Sequence, residues 1–179
     1  MSSFSILSAS LITDNQYTAC QPHEMEMIVS KKGKPIFPRL EFKLSGLLLD
    51  EQYQVLISLE RADKNRYCFT NGKWRVSELR RVCPQEEVVK YVNYGSDDWI
   101  KGEELMSKDL IFNKLRITNY ATVAEEEDNT IHVNTMHKYV PVLTVIPLHS
   151  SPKSWHFHVA SFIPVTTYCD MQLSAIKVY

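Results

Sequence analysis

The stretch of sequence that indicates the fold class most directly is RYCFTNGKWRV, residues 66–76. Two short runs with aromatic and β-branched residues flank Asn71-Gly72. In a two-residue β-turn both positions need the positive φ that Asn and Gly tolerate best. The stretch therefore predicts a β-hairpin in which Phe69 faces Trp74 as a cross-strand aromatic pair.

Short strands are predicted along most of the rest of the chain. In residues 53–60 an apolar residue occupies every second position, which is typical of a half-buried strand. Helical periodicity is weak, with short turns expected near Asp14–Cys20 and Gly102–Met106. Seven or more short strands between turn residues predict an all-β sandwich or barrel with few short helices. The further predicted strands are Ile111–Thr118, Thr130–Asn134, Val140–Ile146, Trp155–Phe162 and Leu173–Tyr179.

The composition is that of one folded domain. The chain has 179 residues, of which 44% are hydrophobic and 23% charged, which excludes a disordered tail protein. The longest early apolar stretch, Phe4–Ile12, is broken by serines and lacks a preceding positive charge, so we predict no signal peptide and no membrane span. The four cysteines are far apart and are interpreted as reduced, packed thiols; they are Cys20, Cys68, Cys83 and Cys169.

Charge is segregated along the chain although the net charge is only −1. Residues 31–43 carry a local charge of +4 and residues 61–81 of +5, whereas residues 82–130 carry −6. The basic stretches are compatible with a phosphate-facing surface or with solvated loops, and composition alone does not separate the two. The acidic run Glu125–Asp128 is interpreted as the solvated tip of a hairpin.

No pattern in the sequence predicts catalysis, a cofactor or a metal. There is no nucleophile elbow, phosphate-binding glycine loop, paired-cysteine site or HExxH motif. His156 and His158 alternate on a predicted strand with His149 nearby, and an exposed polar face explains them better than a metal site. His137 is interpreted as a buried, hydrogen-bonded histidine. We therefore predict that the chain is not an enzyme.

Six blocks of the sequence occur in the same order as in one known protein family. The stretch EMIVSKKGKPIFPRL, Glu26–Leu40, resembles the opening signature of the T-box family, where Glu-Met-Ile-Val-Thr-Lys leads to Gly-Arg-Arg-Met-Phe-Pro. The later blocks resemble the family's in the same order: Ser45–Leu47 with Tyr53, Arg66-Tyr67 with Asn71–Trp74, Lys114–Asn119, Asn134–Pro141 and Phe162–Tyr168. The resemblance covers residues 17–179 as a T-box domain and implies an N-terminal extension over 1–16. It also implies an immunoglobulin-like β-sandwich that binds DNA.

The resemblance assigns DNA contacts to the first basic stretch. After Gly33 the family places two arginines in the DNA, where this chain has Lys34 and Pro35. Lysine still reaches a phosphate or a guanine acceptor, but as a point charge without the bidentate fork of arginine, and proline does neither. Lys31 and Arg39, in the same stretch, complete this group of predicted contacts.

The resemblance implies DNA contacts in two further segments. Arg116 takes the position of a family lysine and is expected to bind a phosphate. Thr166, Thr167 and Tyr168 occupy the family's DNA-facing loop and are expected to donate hydrogen bonds to phosphate oxygens, whereas Asp170 would repel a phosphate. For Lys34 and Arg116 the alternative of plain solubilising charges stays open.

Two functions are compatible with this pattern. In the family, a helix with an Asn-Pro-Phe-Ala-Lys motif enters the minor groove after the last strand, and the sequence reaches Tyr179 without it; Val142 also replaces a usually basic residue. We expect weaker affinity and specificity from these changes. The first hypothesis is a nuclear, sequence-specific transcription factor that binds double-stranded DNA and regulates RNA polymerase II transcription. The second is a T-box-derived interaction domain with weakened or lost DNA binding, whose partner is another T-box protein or a transcriptional co-regulator.

Overall fold

The computed structural model describes residues 6–21, 23–78, 89–95 and 99–176, and within them short strands dominate. The strands are β1 (Ser8–Leu11), β2 (Glu26–Ile28), β3 (Lys34–Pro35), β4 (Glu41–Ser45), β5 (Gln52–Arg61), β6 (Tyr67–Thr70), β7 (Lys73–Val76), β8 (Val92–Asn93), β9 (Ile100–Lys101), β10 (Leu110–Ile111), β11 (Arg116–Thr118), β12 (Thr130–His132), β13 (Tyr139–Pro147), β14 (Lys153–His156) and β15 (Ile163–Val165). The α-helices are α1 (Asp14–Thr18), α2 (Gly102–Ser107), α3 (Ala121–Glu126) and α4 (Met171–Ile176). The predicted all-β fold with few short helices is confirmed.

The largest sheet is built around the antiparallel pair β5 and β13. Its strand order is β14-β13-β5-β8, and β9 also pairs with β5. As the period-two pattern predicts, Tyr53, Val55, Ile57 and Leu59 are all buried on one face of β5. The register sets Tyr53 opposite Pro147 and Arg61 opposite Tyr139, so β5 and β13 are paired along their full length.

A second sheet covers this buried face and closes the sandwich. Its order is β1-β4-β10, and alternate residues of β4, Phe42 and Leu44, are buried. The Phe42 ring lies 4.8 Å from the Phe157 ring, just after β14, and 5.9 Å from the Phe112 ring. Burying one such phenylalanine contributes about 2–3 kcal/mol. The two layers therefore share one aromatic-rich core.

The predicted hairpin is present as β6 and β7. Asn71 and Gly72 have φ of 53° and 73°, as a two-residue turn of this kind requires. Phe69 lies opposite Trp74, with the ring centroids 5.5 Å apart. This local prediction is confirmed in its register as well as its type.

Strand directions define two ends of the sandwich. We call the end where β5 finishes at Arg61 the upper end, and the end where it begins at Gln52 the lower end. Tyr139, the first residue of β13, bridges Phe162 in antiparallel fashion, so β15 continues outward beyond the upper end. Since β15 pairs in parallel with β2, the segments that follow both strands project from this same end.

The acidic run lies in a different structure from the predicted hairpin tip. β11 and β12 are parallel, and parallel neighbours need a crossover, which α3 supplies. The Lys90 ammonium donates to the carbonyl oxygens of Ala124, at 2.5 Å, and Glu127, at 2.7 Å, at the C-terminal end of this helix. The run is exposed, as expected, but its first half is helical.

Three other predicted strands are corrected by the structure. Residues 111–118 divide into the end of β10 and the separate strand β11, and residues 155–162 turn from β14 into a short 3-10 helix, His158–Ala160. Residues 173–176 belong to α4 rather than to a strand, and 177–179 lie outside the described residues. Asp170 explains the helix, because its Oδ1 accepts hydrogen bonds from the N–H groups of Gln172, at 3.0 Å, and Leu173, at 3.4 Å.

The described residues contain free thiols and short helices. Cys20, Cys68 and Cys169 are free thiols in the described part of the chain, and Cys83 lies outside it. Among the residues described here, no helix is both long and apolar enough to cross a membrane.

A substitution at Gly102 tests the packing at the lower end of the sandwich. A Cβ at this position would overlap the carbonyl oxygen of Leu48, so the β4–β5 loop would have to move. Gly102→Ala is therefore expected to lower the free energy of unfolding by about 1–3 kcal/mol in urea denaturation. The adjacent, exposed Lys101→Ala is expected to change it by less than about 0.5 kcal/mol. Equal stability of the two variants would contradict this packing.

Candidate nucleic-acid interface

A tight basic turn connects β2 to β3 at the upper end. The Gly33 N–H donates to the Ser30 carbonyl oxygen at 3.0 Å, and Gly33 has a φ of 74°, a conformation that suits glycine. Lys31, Lys32 and Lys34 are all exposed on this turn or directly after it. The turn therefore presents three positive charges to solvent within four residues.

Arg116 joins the turn through pairing of β3 with β11. The register sets Arg116 opposite Pro35 and Ile117 opposite Lys34. The position that a Cβ of Gly33 would take lies 3.4 Å from Arg116 Cβ and 3.7 Å from its Nε, so the arginine side chain runs along the turn. The structure thus brings the predicted contacts Lys34 and Arg116, 82 positions apart in the numbering, onto one surface.

Thr118 and Tyr120 hold the turn from below. The buried Thr118 hydroxyl donates to the carbonyl oxygen of Ser30 at 2.9 Å, with the Lys31 carbonyl at 3.3 Å, and accepts from the Tyr120 N–H at 3.2 Å. The Lys31 ammonium lies 5.7 Å from the centre of the exposed Tyr120 ring, within reach of a cation–π attraction. Sequence reasoning missed both residues, although the Lys114–Asn119 block contains Thr118.

The loop after β15 lies beside the basic turn. In the parallel pair Val165 is opposite Ile28, and the Val29 N–H donates to the Val165 carbonyl oxygen at 2.9 Å. Thr166 and Thr167 follow at once and are exposed, while Tyr168 is half-buried. Burial, and secondarily the nearby negative charge of Glu26, raises the pKa of the Tyr168 phenol above its usual value.

We define the basic surface as Lys31, Lys34, Arg116, Thr166 and Thr167.

The buried Glu26 carboxylate anchors this loop to the rest of the domain. Glu26 is fully buried, at 0% exposure. Its oxygens accept hydrogen bonds from Trp74 Nε1 at 2.9 Å, from the Cys169 N–H at 2.8 Å and from the Asp170 N–H at 2.9 Å. Burial, reinforced by this carboxylate, also raises the pKa of the Cys169 thiol. Glu26 therefore joins β2, the β6–β7 hairpin and the loop after β15, a role that the sequence did not indicate.

Asp170 does not face a phosphate, contrary to the expectation from sequence. Its side chain is buried, because one oxygen caps α4 and the other lies 2.7 Å from His23 Nδ1. A carboxylate used in this way is turned away from solvent. The Asp170 carboxylate is therefore not exposed to a phosphate next to the DNA-facing loop.

Arg39 is held differently from the basic surface. It precedes β4, and its guanidinium lies 3.1 Å from the Glu41 carboxylate, which offsets its charge. Its carbonyl oxygen accepts a hydrogen bond from the Thr13 hydroxyl at 2.8 Å. A DNA contact by Arg39 stays a prediction.

The Asn134–Pro141 block acts structurally. His137 is buried with Nδ1 at 2.9 Å from the Thr135 carbonyl oxygen, as expected. The Lys138 ammonium pairs with Glu24 at 2.8 Å, and the Tyr139 hydroxyl accepts the Asn134 N–H at 2.8 Å. Val142, interpreted as a lost basic contact, is buried opposite Ser58 in the central sheet, so it is not part of an exposed surface.

The histidines considered as metal ligands, His149, His156 and His158, are surface groups. His156 and His158 are exposed with ring centroids 6.2 Å apart, and His156 Nε2 lies 3.1 Å from a Glu60 oxygen. Over the described ranges, no group of three or more His, Cys, Asp or Glu side chains is arranged to hold a metal ion.

Replacing the anchor tests its energetic role. In Glu26→Gln an NH₂ group replaces one carboxylate oxygen, so at least one of the three N–H donors loses its acceptor. We therefore expect the free energy of unfolding to fall by about 2 kcal/mol. The measurement is urea denaturation followed by Trp fluorescence and circular dichroism. Glu24→Gln removes a partly exposed ion pair and serves as the matched control, with an expected loss below about 1 kcal/mol. Equal losses in the two variants would contradict the anchoring role.

Comparison with known proteins identifies the family of this chain. Residues 9–179 match the sequence model of the T-box family. The chain is 45% identical over 148 residues, or 80% of its length, to putative T-box protein 40 of Caenorhabditis elegans. It is 32% identical over 86% of its length to T-box transcription factor tbx-9 of the same species, and 30% identical over 98% to T-box protein 1 of Patiria pectinifera.

The chain spans 38%, 54% and 22% of these three relatives. T-box proteins are transcription factors rather than enzymes, which agrees with the prediction that the chain has no catalytic role. The β-sandwich and the collinear sequence blocks agree with the same assignment. On this evidence the chain belongs to the T-box family.

Proposed function

We propose that this chain binds double-stranded DNA sequence-specifically through the basic surface and, in the nucleus, regulates transcription by RNA polymerase II. The observation that carries the proposal is the convergence of the β2–β3 turn, Arg116 and the Thr166–Thr167 loop at the upper end. Family membership supports it, as does the relative that is named a transcription factor.

The residues of the basic surface have different tasks in this proposal. Lys31 and Arg116 neutralise phosphates and set the register of the domain on the duplex, while the Thr166 and Thr167 hydroxyls donate to phosphate oxygens. Lys34 neutralises a phosphate as well, and it is the candidate for reaching a base edge, where its ammonium donates to guanine N7 or O6. Because it lacks the bidentate geometry of arginine, we expect modest discrimination between bases from this position.

The acidic run limits how a duplex can lie on the domain. Arg116 pairs in register with Thr130, two residues after Asp128, so the exposed carboxylates of Glu125–Asp128 flank one side of the basic surface. They repel a phosphate backbone that approaches over α3. We therefore infer that the duplex passes over the β2–β3 turn and the loop after β15, on the side away from α3.

A binding titration tests the proposal. The fluorescence anisotropy of a labelled duplex is measured as the purified chain is added. One duplex carries the T-box consensus half-site and the other is scrambled, and each titration is repeated at several salt concentrations. We expect tighter binding to the consensus site and an affinity that falls as salt rises, because phosphate contacts release counterions. Lys34→Ala and Arg116→Ala are each expected to lower the salt slope by about one.

Lys101→Ala provides the matched control, because Lys101 is exposed on β9 at the lower end. It should leave both the affinity and the slope unchanged. Equal, weak binding to both duplexes would overturn sequence-specific recognition and favour the T-box-derived interaction domain. Unchanged slopes for Lys34→Ala and Arg116→Ala would remove the basic surface as the binding site.

A further inference from the structure

Large aliphatic side chains are exposed at the lower end of the sandwich. Leu48 and Leu49 are consecutive in the loop between β4 and β5 and are 67% and 55% exposed. Leu148, directly after β13, and Ile6, beside Gly46, lie at the same end and are 41% and 83% exposed. We call these four residues the leucine end. Adjacent exposed apolar groups of this size mark interaction sites more often than single ones do.

The loop that carries the two leucines is rigidly held. The Tyr53 hydroxyl accepts from the Leu48 N–H at 3.0 Å and donates to a Glu51 carboxylate oxygen at 3.1 Å. From α2, the Gly102 N–H donates to the Glu51 carbonyl at 2.9 Å and the Glu103 N–H to the Leu49 carbonyl at 3.1 Å. The leucines are thus exposed on fixed backbone, and a ligand that covers them loses little loop entropy.

Carboxylates lie beside Leu48 and Leu49 at the leucine end, whereas near Ile6 the Lys153 ammonium donates to the Leu7 carbonyl oxygen at 2.6 Å. The loop contributes Asp50 and Glu51, the start of α2 contributes Glu103 and Glu104, and Lys101 is the basic residue in these same segments. The local charge of the segments 46–52 and 101–104 is −3, and it is −2 when Lys108, which pairs with Glu104 at 2.7 Å, is included. An apolar patch with an acidic rim is complementary to a ligand that is apolar on one face and basic beside it.

The leucine end is remote from the basic surface. β5 has 10 residues and runs from one end of the sandwich to the other. At about 3.3 Å per residue the two ends are on the order of 30 Å apart. A ligand at the lower end can therefore bind whether or not the upper end is occupied, so this inference does not depend on DNA binding.

We propose that the leucine end docks a basic amphipathic helix of a partner protein. Such a helix places large apolar side chains at positions i, i+3 or i+4 and i+7 over Leu48, Leu49 and Leu148, with Lys or Arg at its flanks. A second copy of the chain fits less well, because a two-fold contact at this end brings carboxylates against carboxylates. Phosphate-rich ligands are disfavoured by the same charge.

The test uses a fluorescein-labelled synthetic peptide of 18 residues with Leu on one helical face and Lys on the other. Fluorescence anisotropy of the full chain at 50 mM salt is expected to show saturable binding. Leu48→Ser/Leu49→Ser is expected to weaken it at least tenfold, and Val76→Ser, at an equally exposed apolar residue of the hairpin, to leave it unchanged. Thermal melts followed by circular dichroism check that both variants are folded.

Two controls address charge and self-association. Asp50→Asn/Glu103→Gln is expected to weaken peptide binding several-fold and to flatten its salt dependence, and a peptide with Glu in place of Lys is expected not to bind. The proposal is overturned if the Lys peptide does not bind, if the Glu peptide binds equally, or if the serine variant binds like the wild type. A dimer in sedimentation equilibrium that the serine variant abolishes would also overturn it, in favour of a second copy.

Discussion

The buried carboxylate of Glu26 is the interaction on which the upper end of this domain depends. A fully buried charge costs several kcal/mol of desolvation unless hydrogen bonds replace its water. Glu26 obtains three N–H donors, one from the indole of Trp74 and two from the backbone at Cys169 and Asp170. Charge-assisted hydrogen bonds of this kind are about twice as strong as neutral ones. One side chain therefore connects a strand, a hairpin and a loop that are distant in sequence.

This anchoring explains how a chain with almost no net charge presents a basic surface. The loop after β15 is held at Glu26, and the β2–β3 turn is held from below by Thr118, so their exposed side chains have defined positions. The two carboxyl groups next to the loop after β15 are turned inward, since Glu26 and Asp170 are both buried and hydrogen-bonded. The upper end is basic because Lys31, Lys34 and Arg116 are exposed there, while Glu26 and Asp170 are buried and hydrogen-bonded.

Local patterns predict the parts of the fold that local physics controls. The alternation in β5 and the Asn71-Gly72 turn depend on neighbours within ten residues, and both are correct in the structure. The parallel pairing of β11 with β12 depends on a crossover, and a charged run such as Glu125–Asp128 does not reveal whether it lies in a helix or a hairpin tip. The strand predicted over α4 is wrong because the Asp170 cap starts a helix there. The β-branched residues near the end of the sequence favour a strand instead.

The candidate site was predictable only in part, for the same reason. The resemblance named Lys34, Arg116 and the Thr166–Tyr168 loop, and the structure brings Lys34, Arg116 and Thr166 to one end. The residues that hold them act through distant contacts: Glu26 meets Trp74, 48 positions away, and Thr118 meets Ser30, 88 away. A single glutamate or threonine in the sequence carries no sign of such a partner.

Hydrogen exchange at two backbone amides tests the central role of Glu26 most directly. The N–H groups of Cys169 and Asp170 both donate to the Glu26 carboxylate, so their protection from exchange depends on it. NMR-detected exchange should show both amides protected in the wild type. In Glu26→Gln, which keeps only one oxygen acceptor, at least one of the two amides is expected to exchange at least tenfold faster, beyond any change in the amides of β5 and β13. Unchanged protection of Cys169 and Asp170 relative to β5 and β13 would contradict the account.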